Sequence, residues 1–129
     1  MKHIERKHQK TVIRYLQLKY PGALFTIPPN GFKLPIGVAV QLKAMGYSAG
    51  SPDIMIFEPQ NGAHGLFIEM KTPAAKGQRE GRLSDEQCVW IERLTERGYA
   101  VSVCYGANEA CDVIDGYFKP GGTQYPSTK

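Results

Sequence analysis

The chain has little of what would staple a small fold together. Its three cysteines, Cys88, Cys104 and Cys111, are odd in number and nowhere spaced Cys-x-x-Cys. That excludes a disulfide framework and a zinc ribbon, and leaves reduced, buried thiols as the expectation for all three. The histidines, His3, His8 and His64, lack a metal-ligand spacing. No apolar run approaches the roughly 18 residues of a membrane span. The first residues, Met1 to Glu5, lack the apolar centre of a secretory signal. A cytoplasmic protein with no membrane partner is expected. No internal repeat and no motif for an organic cofactor is visible.

What is present suits one soluble domain: 129 residues, 42% hydrophobic and 22% charged. The formal charge is +4 and the sequence pI about 9.0. Placement matters more than size. Up to Tyr20, six bases (Lys2, Arg6, Lys7, Lys10, Arg14 and Lys19) face Glu5 alone, a net of +5, so one segment carries the excess of the whole chain. Lys71, Lys76, Arg79 and Arg82 form a second basic group. Either patch is a solvated surface or a phosphate-binding one.

Punctuation by proline and glycine divides the chain into elements. Ile4 to Tyr20 is expected to be a helix stopped by Pro21-Gly22. Its stripe, Val12 and Leu16, runs back through Gln9 to Glu5. A carboxylate extending an apolar stripe is unusual, although one near the positive end of a helix is favourable in its own right. Ala23–Ile27 is expected as a strand closed by a turn at 28–31, and Val38–Met45 as a short helix stopped by Gly46. Strands follow at Asp53–Phe57 and Leu66–Lys71, joined by the loop 60–65. Thr72 to Leu83 is polar and basic and is expected to be a mobile loop. Ser84–Arg97 is the second clear helix, with Trp90, Ile91 and Leu94 on its buried stripe. Tyr99–Tyr105 is β-rich, Asn108–Phe118 is a last helix, and 119–129 is expected to be a flexible tail beyond a domain spanning 1–118.

The segment Gly50–Lys71 concentrates the chemistry. Pro52-Asp53 opens one apolar strand, and the other ends in Glu69-Met70-Lys71, with Asp53 and Glu69 sixteen residues apart. Strand period two puts Glu69 and Lys71 on one face, and Ile68 and Met70 on the other. Ionised groups set against a buried sheet are costly without partners, so two carboxylates and an ammonium converging there point to a shared task. Holding a hard divalent cation beside an activated water is the leading candidate. Gln87, on the sheet-facing stripe, either caps its own helix with Ser84 or reaches into this site.

These residues resemble the VRR-NUC family of the PD-(D/E)XK nuclease superfamily. The resemblance is carried by Pro52-Asp53 and Glu69-Met70-Lys71, with Gly46 and Gly50 before them and Ser84 to Gln87, Trp90 and Gly98 after, and it spans about Glu5 to Phe118. It implies an α/β, restriction-endonuclease-like αβββαβ core, a central mixed sheet flanked by helices, here with one helix inserted and one appended. It further implies Asp53, Glu69, Lys71 and Gln87 as catalytic residues. Mg²⁺ or Mn²⁺ would be held by Asp53, Glu69 and the Met70 main-chain carbonyl, with Glu5 as a further acidic group from the first helix.

The function this implies is metal-dependent hydrolysis of DNA phosphodiester bonds, on branched or junction DNA. Lys7, Lys10, Arg14, Lys76, Arg79 and Arg82 are the candidate DNA contacts. A non-catalytic nucleic-acid-binding module that has kept the fold is the alternative. A small domain without a targeting module gains reach by pairing two sites, so a homodimer is expected, with interface candidates in Phe32–Val40 and at Tyr117 and Phe118. Small size also suggests a phage or bacterial origin.

Overall fold

The computed structural model describes residues 3–74, 81–122 and 124–125. The elements run α1 (His3–Lys19), β1 (Phe25–Thr26), α2 (Ile36–Ala44), β2 (Ile54–Ile56), β3 (Leu66–Lys71), α3 (Asp85–Glu96), β4 (Ala100–Tyr105) and α4 (Ala107–Phe118). The expected order of helices and strands is the one observed, and the fold is α/β. The four strands lie in the order β1-β2-β3-β4, with the first two pairings antiparallel and β3 parallel to β4. A parallel neighbour demands a crossover, and α3 supplies it. Gly98, at φ +88°, ends that helix: its N–H and that of Tyr99 turn back to the Thr95 and Leu94 carbonyls.

The central strand β3 is buried at all six positions, as expected for a strand with neighbours on both edges and layers on both faces. Leu66, Ile68 and Met70 join a core with Val12 and Leu16 of α1 and Ala110, Ile114 and Tyr117 of α4. On the alternate parity, Phe67 stacks on Tyr99, and the same parity carries Glu69 and Lys71. Strand alternation thus separates an apolar face from one bearing the charges.

Several boundaries moved for physical reasons. β1 is only Phe25–Thr26, and Pro28 and Pro29, which cannot donate to a ladder, stop it from running on. The second helix begins at Ile36, directly after Pro35, whose φ of −55° suits a helix start. β2 begins at Ile54 instead of Asp53, and the Asp53 side chain takes the Met70 N–H of β3 that a longer strand would pair through Pro52. The interface candidates at the end of α4 are corrected: Tyr117 is buried in the core, and Phe118 stacks on Tyr20 at 4.4 Å between ring centroids. Both cover their own chain. Cys88 is corrected as well, since it lies on the solvent side of α3, while Cys104 is buried and Cys111 half-buried. All three are free thiols. Of the expected tail, the described residues through Tyr125 lie against the domain, with the Tyr125 N–H donating to the Asn61 carbonyl at 2.8 Å.

Away from the charged face of β3, α1 is clamped to α4 by one carboxylate. Asp115 accepts from Tyr15 Oη at 2.5 Å and Tyr20 Oη at 2.6 Å, and pairs with Lys19 Nζ at 3.0 Å. His8 Nδ1 accepts the Ala107 N–H at 2.9 Å, which occupies one donor at the start of α4. Among the described residues, no helix is long and apolar enough to cross a membrane.

Candidate active site

The site begins where β2 fails to extend. The pairing of Ile54 with Ile68 continues to set Asp53 opposite Glu69 and Pro52 opposite Met70. There the Asp53 Oδ2 accepts the Met70 N–H at 2.8 Å, replacing a ladder bond. The N–H and C=O of one strand residue point to the same side, so the Met70 carbonyl also faces the Asp53 side. Asp53 is held from behind as well. Its own carbonyl accepts from Gln9 Nε2 at 3.4 Å, and Asn30 Nδ2 bonds the Ser51 carbonyl at 2.6 Å and approaches Asp53 Oδ1 at 3.5 Å.

Glu69 is the anomaly of the chain. It is 2% exposed, and one oxygen, Oε2, accepts from Gln87 Nε2 at 3.1 Å. The other, Oε1, is buried without a hydrogen-bond partner among the described residues. Burial above all, and then the neighbouring Asp53 carboxyl, push the Glu69 carboxyl up to about 9, against an opposing pull from the Lys71 ammonium. A buried acceptor without a donor is a cost the fold carries.

Gln87 serves both of its expected purposes at once. Its Oε1 accepts the Ser84 N–H at 2.9 Å while Ser84 Oγ accepts the Gln87 N–H at 3.1 Å, a complete capping box. Its remaining amide group is what reaches Glu69. The cap therefore orients the site residue, because the amide oxygen is spoken for and the nitrogen must face the carboxylate.

Glu5, Asp53, Glu69, Lys71 and Gln87 all line one open cavity of about 560 Å³. Four elements, α1, the β2 entry, β3 and α3, thus deliver the five residues expected from sequence to one place. Among the described residues no group of three or more His, Cys, Asp or Glu side chains is arranged to ligate a metal ion. The oxygen donors that do converge are two carboxylates and the Met70 peptide. Lys7, Lys10, Arg14 and Arg82 are exposed, and Lys76 and Arg79 lie outside the described residues.

Asn30 and Tyr47 also line this cavity, and the sequence did not single out their side chains. Tyr47 Oη donates to Asn30 Oδ1 at 2.6 Å, which fixes the amide that supports Ser51 and Asp53. Gly50 explains how α3 approaches so closely: at φ +98°, a Cβ there would sit 2.7 Å from the Glu86 backbone. The glycine signal was visible in the sequence, and its neighbour was not.

The VRR-NUC domain profile matches residues 4–108, which takes in every element from α1 to the start of α4. The chain belongs to the VRR-NUC family. A solved structure described as a VRR_NUC domain protein superposes with a TM-score of 0.76 at 26% identity, covering 100% of this chain and 99% of that one. A second, described as a VRR_NUC domain, shares the fold at a TM-score of 0.54 and 23% identity, over 88% of this chain and 97% of that one. No curated protein matches. This VRR-NUC chain therefore has a nuclease-type fold, and its acidic cavity lies within the family-matched span.

Proposed function

We propose that this VRR-NUC protein is a metal-dependent DNA endonuclease whose active site is the cavity holding Asp53, Glu69, Lys71 and Gln87. The observation that carries the reading is Glu69: a buried carboxylate with an unpartnered oxygen, beside a second carboxylate and a lysine. Its bare oxygen, the Asp53 carboxylate and the Met70 carbonyl are hard oxygen donors, which suit a divalent cation such as Mg²⁺ or Mn²⁺. Asp53, Glu69 and the Met70 carbonyl would hold the ion, with Glu5 at the rim of the same cavity. When bound, such an ion lowers the pKa of water and neutralises charge on a phosphate.

The chain's own residues do the rest. Gln87 keeps the Glu69 carboxylate in one orientation through its Nε2. The Met70 N–H does the same for Asp53. Lys71, 9% exposed and on the parity of Glu69, directs an ammonium into the cavity, where it orients the attacking water and stabilises charge developing on the phosphate. Lys7, Lys10 and Arg14 lie at i, i+3 and i+7 on α1 and provide a basic approach for the backbone.

Branched DNA is the preferred substrate in this reading, cut by a symmetric homodimer. Support comes from α2, which is apolar yet has no buried residue: Ile36 is 84% exposed, with Val38, Val40 and Met45 also exposed. A helix with such a surface calls for a cover, and a second copy would place two sites on opposite strands. Incubation with Mg²⁺ and a labelled panel of duplex, flapped, nicked and four-way DNA tests the whole reading. Cleavage greatest on the branched forms is expected. Binding without cleavage of any member would leave a non-catalytic module.

A further inference from the structure

A second cavity, about 400 Å³, opens between α1 and the segment 27–32, and shares Asn30 and Asp53 with the acidic one. Its walls differ in character. Ile13, Ile27, Pro28 and Phe32 are apolar, whereas Lys10 and Arg14 place cations in its lining. Phe32 is 53% exposed, and the Arg6 guanidinium stands 4.7 Å from its ring centroid while donating to the Gly31 carbonyl at 2.7 Å. Arg6 thus pins the turn that carries the aromatic ring. Gln9 completes the lining. Gln9 is 9% exposed, its Nε2 is engaged by the Asp53 carbonyl, and its Oε1 is buried with no partner among the described residues.

An apolar slot with an aromatic wall, flanking cations and one unsatisfied acceptor has the chemistry of a nucleobase site. We propose that this cavity takes the base of one unpaired nucleotide next to the scissile phosphate. The base packs against Phe32, Ile13 and Ile27. Gln9 Oε1 accepts from its exocyclic amine, and Lys10 and Arg14 meet the flanking phosphates. A stacked, paired base cannot enter such a slot without leaving the duplex, so the cavity selects for DNA with an unpaired nucleotide at the cut. Adenine, cytosine and guanine offer an exocyclic amine to Gln9 Oε1, and thymine offers only its ring N3–H. The inference rests on the nuclease reading for the position of the cut, and on this cavity alone for the base.

Binding measured in EDTA separates the two. The probe is a DNA hairpin with a short single-stranded tail whose first unpaired residue is 2-aminopurine, compared with a blunt hairpin carrying the same base paired. The tailed hairpin should bind about tenfold more tightly than the blunt one and change its fluorescence on binding. An abasic residue at that position should weaken binding severalfold. Phe32→Ala and Ile27→Ala should bring the tailed affinity down towards the blunt one and leave blunt affinity unchanged. Equal binding of abasic and base-bearing tails, or variants that weaken both hairpins alike, would overturn the proposal. Base-dependent binding in a protein that cuts nothing in Mg²⁺ would uphold the pocket and defeat the nuclease reading. Cleavage with no base dependence would do the reverse.

Discussion

Two carboxylates in this domain are treated in opposite ways. Asp115 sits between α1 and α4 with three donors: Tyr15, Tyr20 and Lys19. Burial pushes its carboxyl up, but those hydrogen bonds together bring it below its ordinary value. Glu69 sits deeper, in the central strand, with one donor and one bare oxygen, and its carboxyl is driven up to about 9. A fold able to supply Asp115 with three donors, at a less buried location, leaves Glu69 short. Asp115, which ties two helices together, is satisfied within the chain, and Glu69 is not.

The largest effects should come from exchanging these roles. Glu69→Ala should lower cleavage by more than about a hundredfold while leaving the metal-free melting midpoint equal or higher, since it removes a buried carboxyl with an unpartnered oxygen. Asp115→Ala should do the opposite, lowering the midpoint by a few degrees with cleavage per folded molecule retained. Near-normal cleavage by Glu69→Ala would break the comparison.

Lys71→Ala tests the other charge in the cavity. One ammonium among many basic groups adds little to DNA affinity, so turnover should fall far more than binding. Parallel losses in rate and affinity would make Lys71 a phosphate anchor and remove it from the chemical step.

The pH dependence of stability should differ in sign between the two carboxylates. Glu69 moves from 4.5 to about 9 on folding. Between those values the folded metal-free protein keeps a proton that the unfolded chain has released. Its contribution is therefore intact below pH 4.5 and lost as pH rises to about 9. Asp115 is lowered from 3.8, so its contribution is present above that value and lost as pH falls through the folded pKa. Urea melts of the metal-free protein across this range should show the decline, and Glu69→Gln should flatten it. A slope unchanged in Glu69→Gln would mean the proton resides elsewhere.

A smaller effect separates the basic helix face from the acidic cavity. Neutralising Lys7, Lys10 and Arg14 together should flatten the salt dependence of duplex binding, by about 0.9 in log–log slope for each phosphate that the variant no longer neutralises. An unchanged slope would mean that this face meets only solvent.

Much of this was legible before the structure. Pro52-Asp53 and Glu69-Met70-Lys71 mark two strand ends whose period-two geometry sets the carboxylates together, and the α1 stripe carried Glu5 to the same cavity. Asn30 and Tyr47 were not legible. The Pro28-Pro29-Asn30-Gly31 stretch signals a turn whatever its asparagine side chain reaches, and bonds spanning 17 to 23 residues leave no periodic trace. Tyr117 was misplaced for another reason. Ala107, Ala110, Ile114 and Tyr117 form a buried stripe on α4, and weighing the helix by its aromatic end alone concealed it. Gln87 makes the cap and also reaches the cavity, because one amide meets the Ser84 N–H with its oxygen and the Glu69 carboxyl with its nitrogen.

The most direct measurement is the melting midpoint of the DNA-free protein with and without Mg²⁺, for the unmodified chain, Glu69→Gln and Asp115→Asn. A cation that completes Glu69 binds the folded state and raises the midpoint as its concentration rises. The rise should appear in the unmodified chain and in Asp115→Asn, and vanish in Glu69→Gln. No rise in the unmodified chain at any Mg²⁺ concentration, or an equal rise in Glu69→Gln, would contradict the claim that Glu69 is left unpartnered to hold a metal ion.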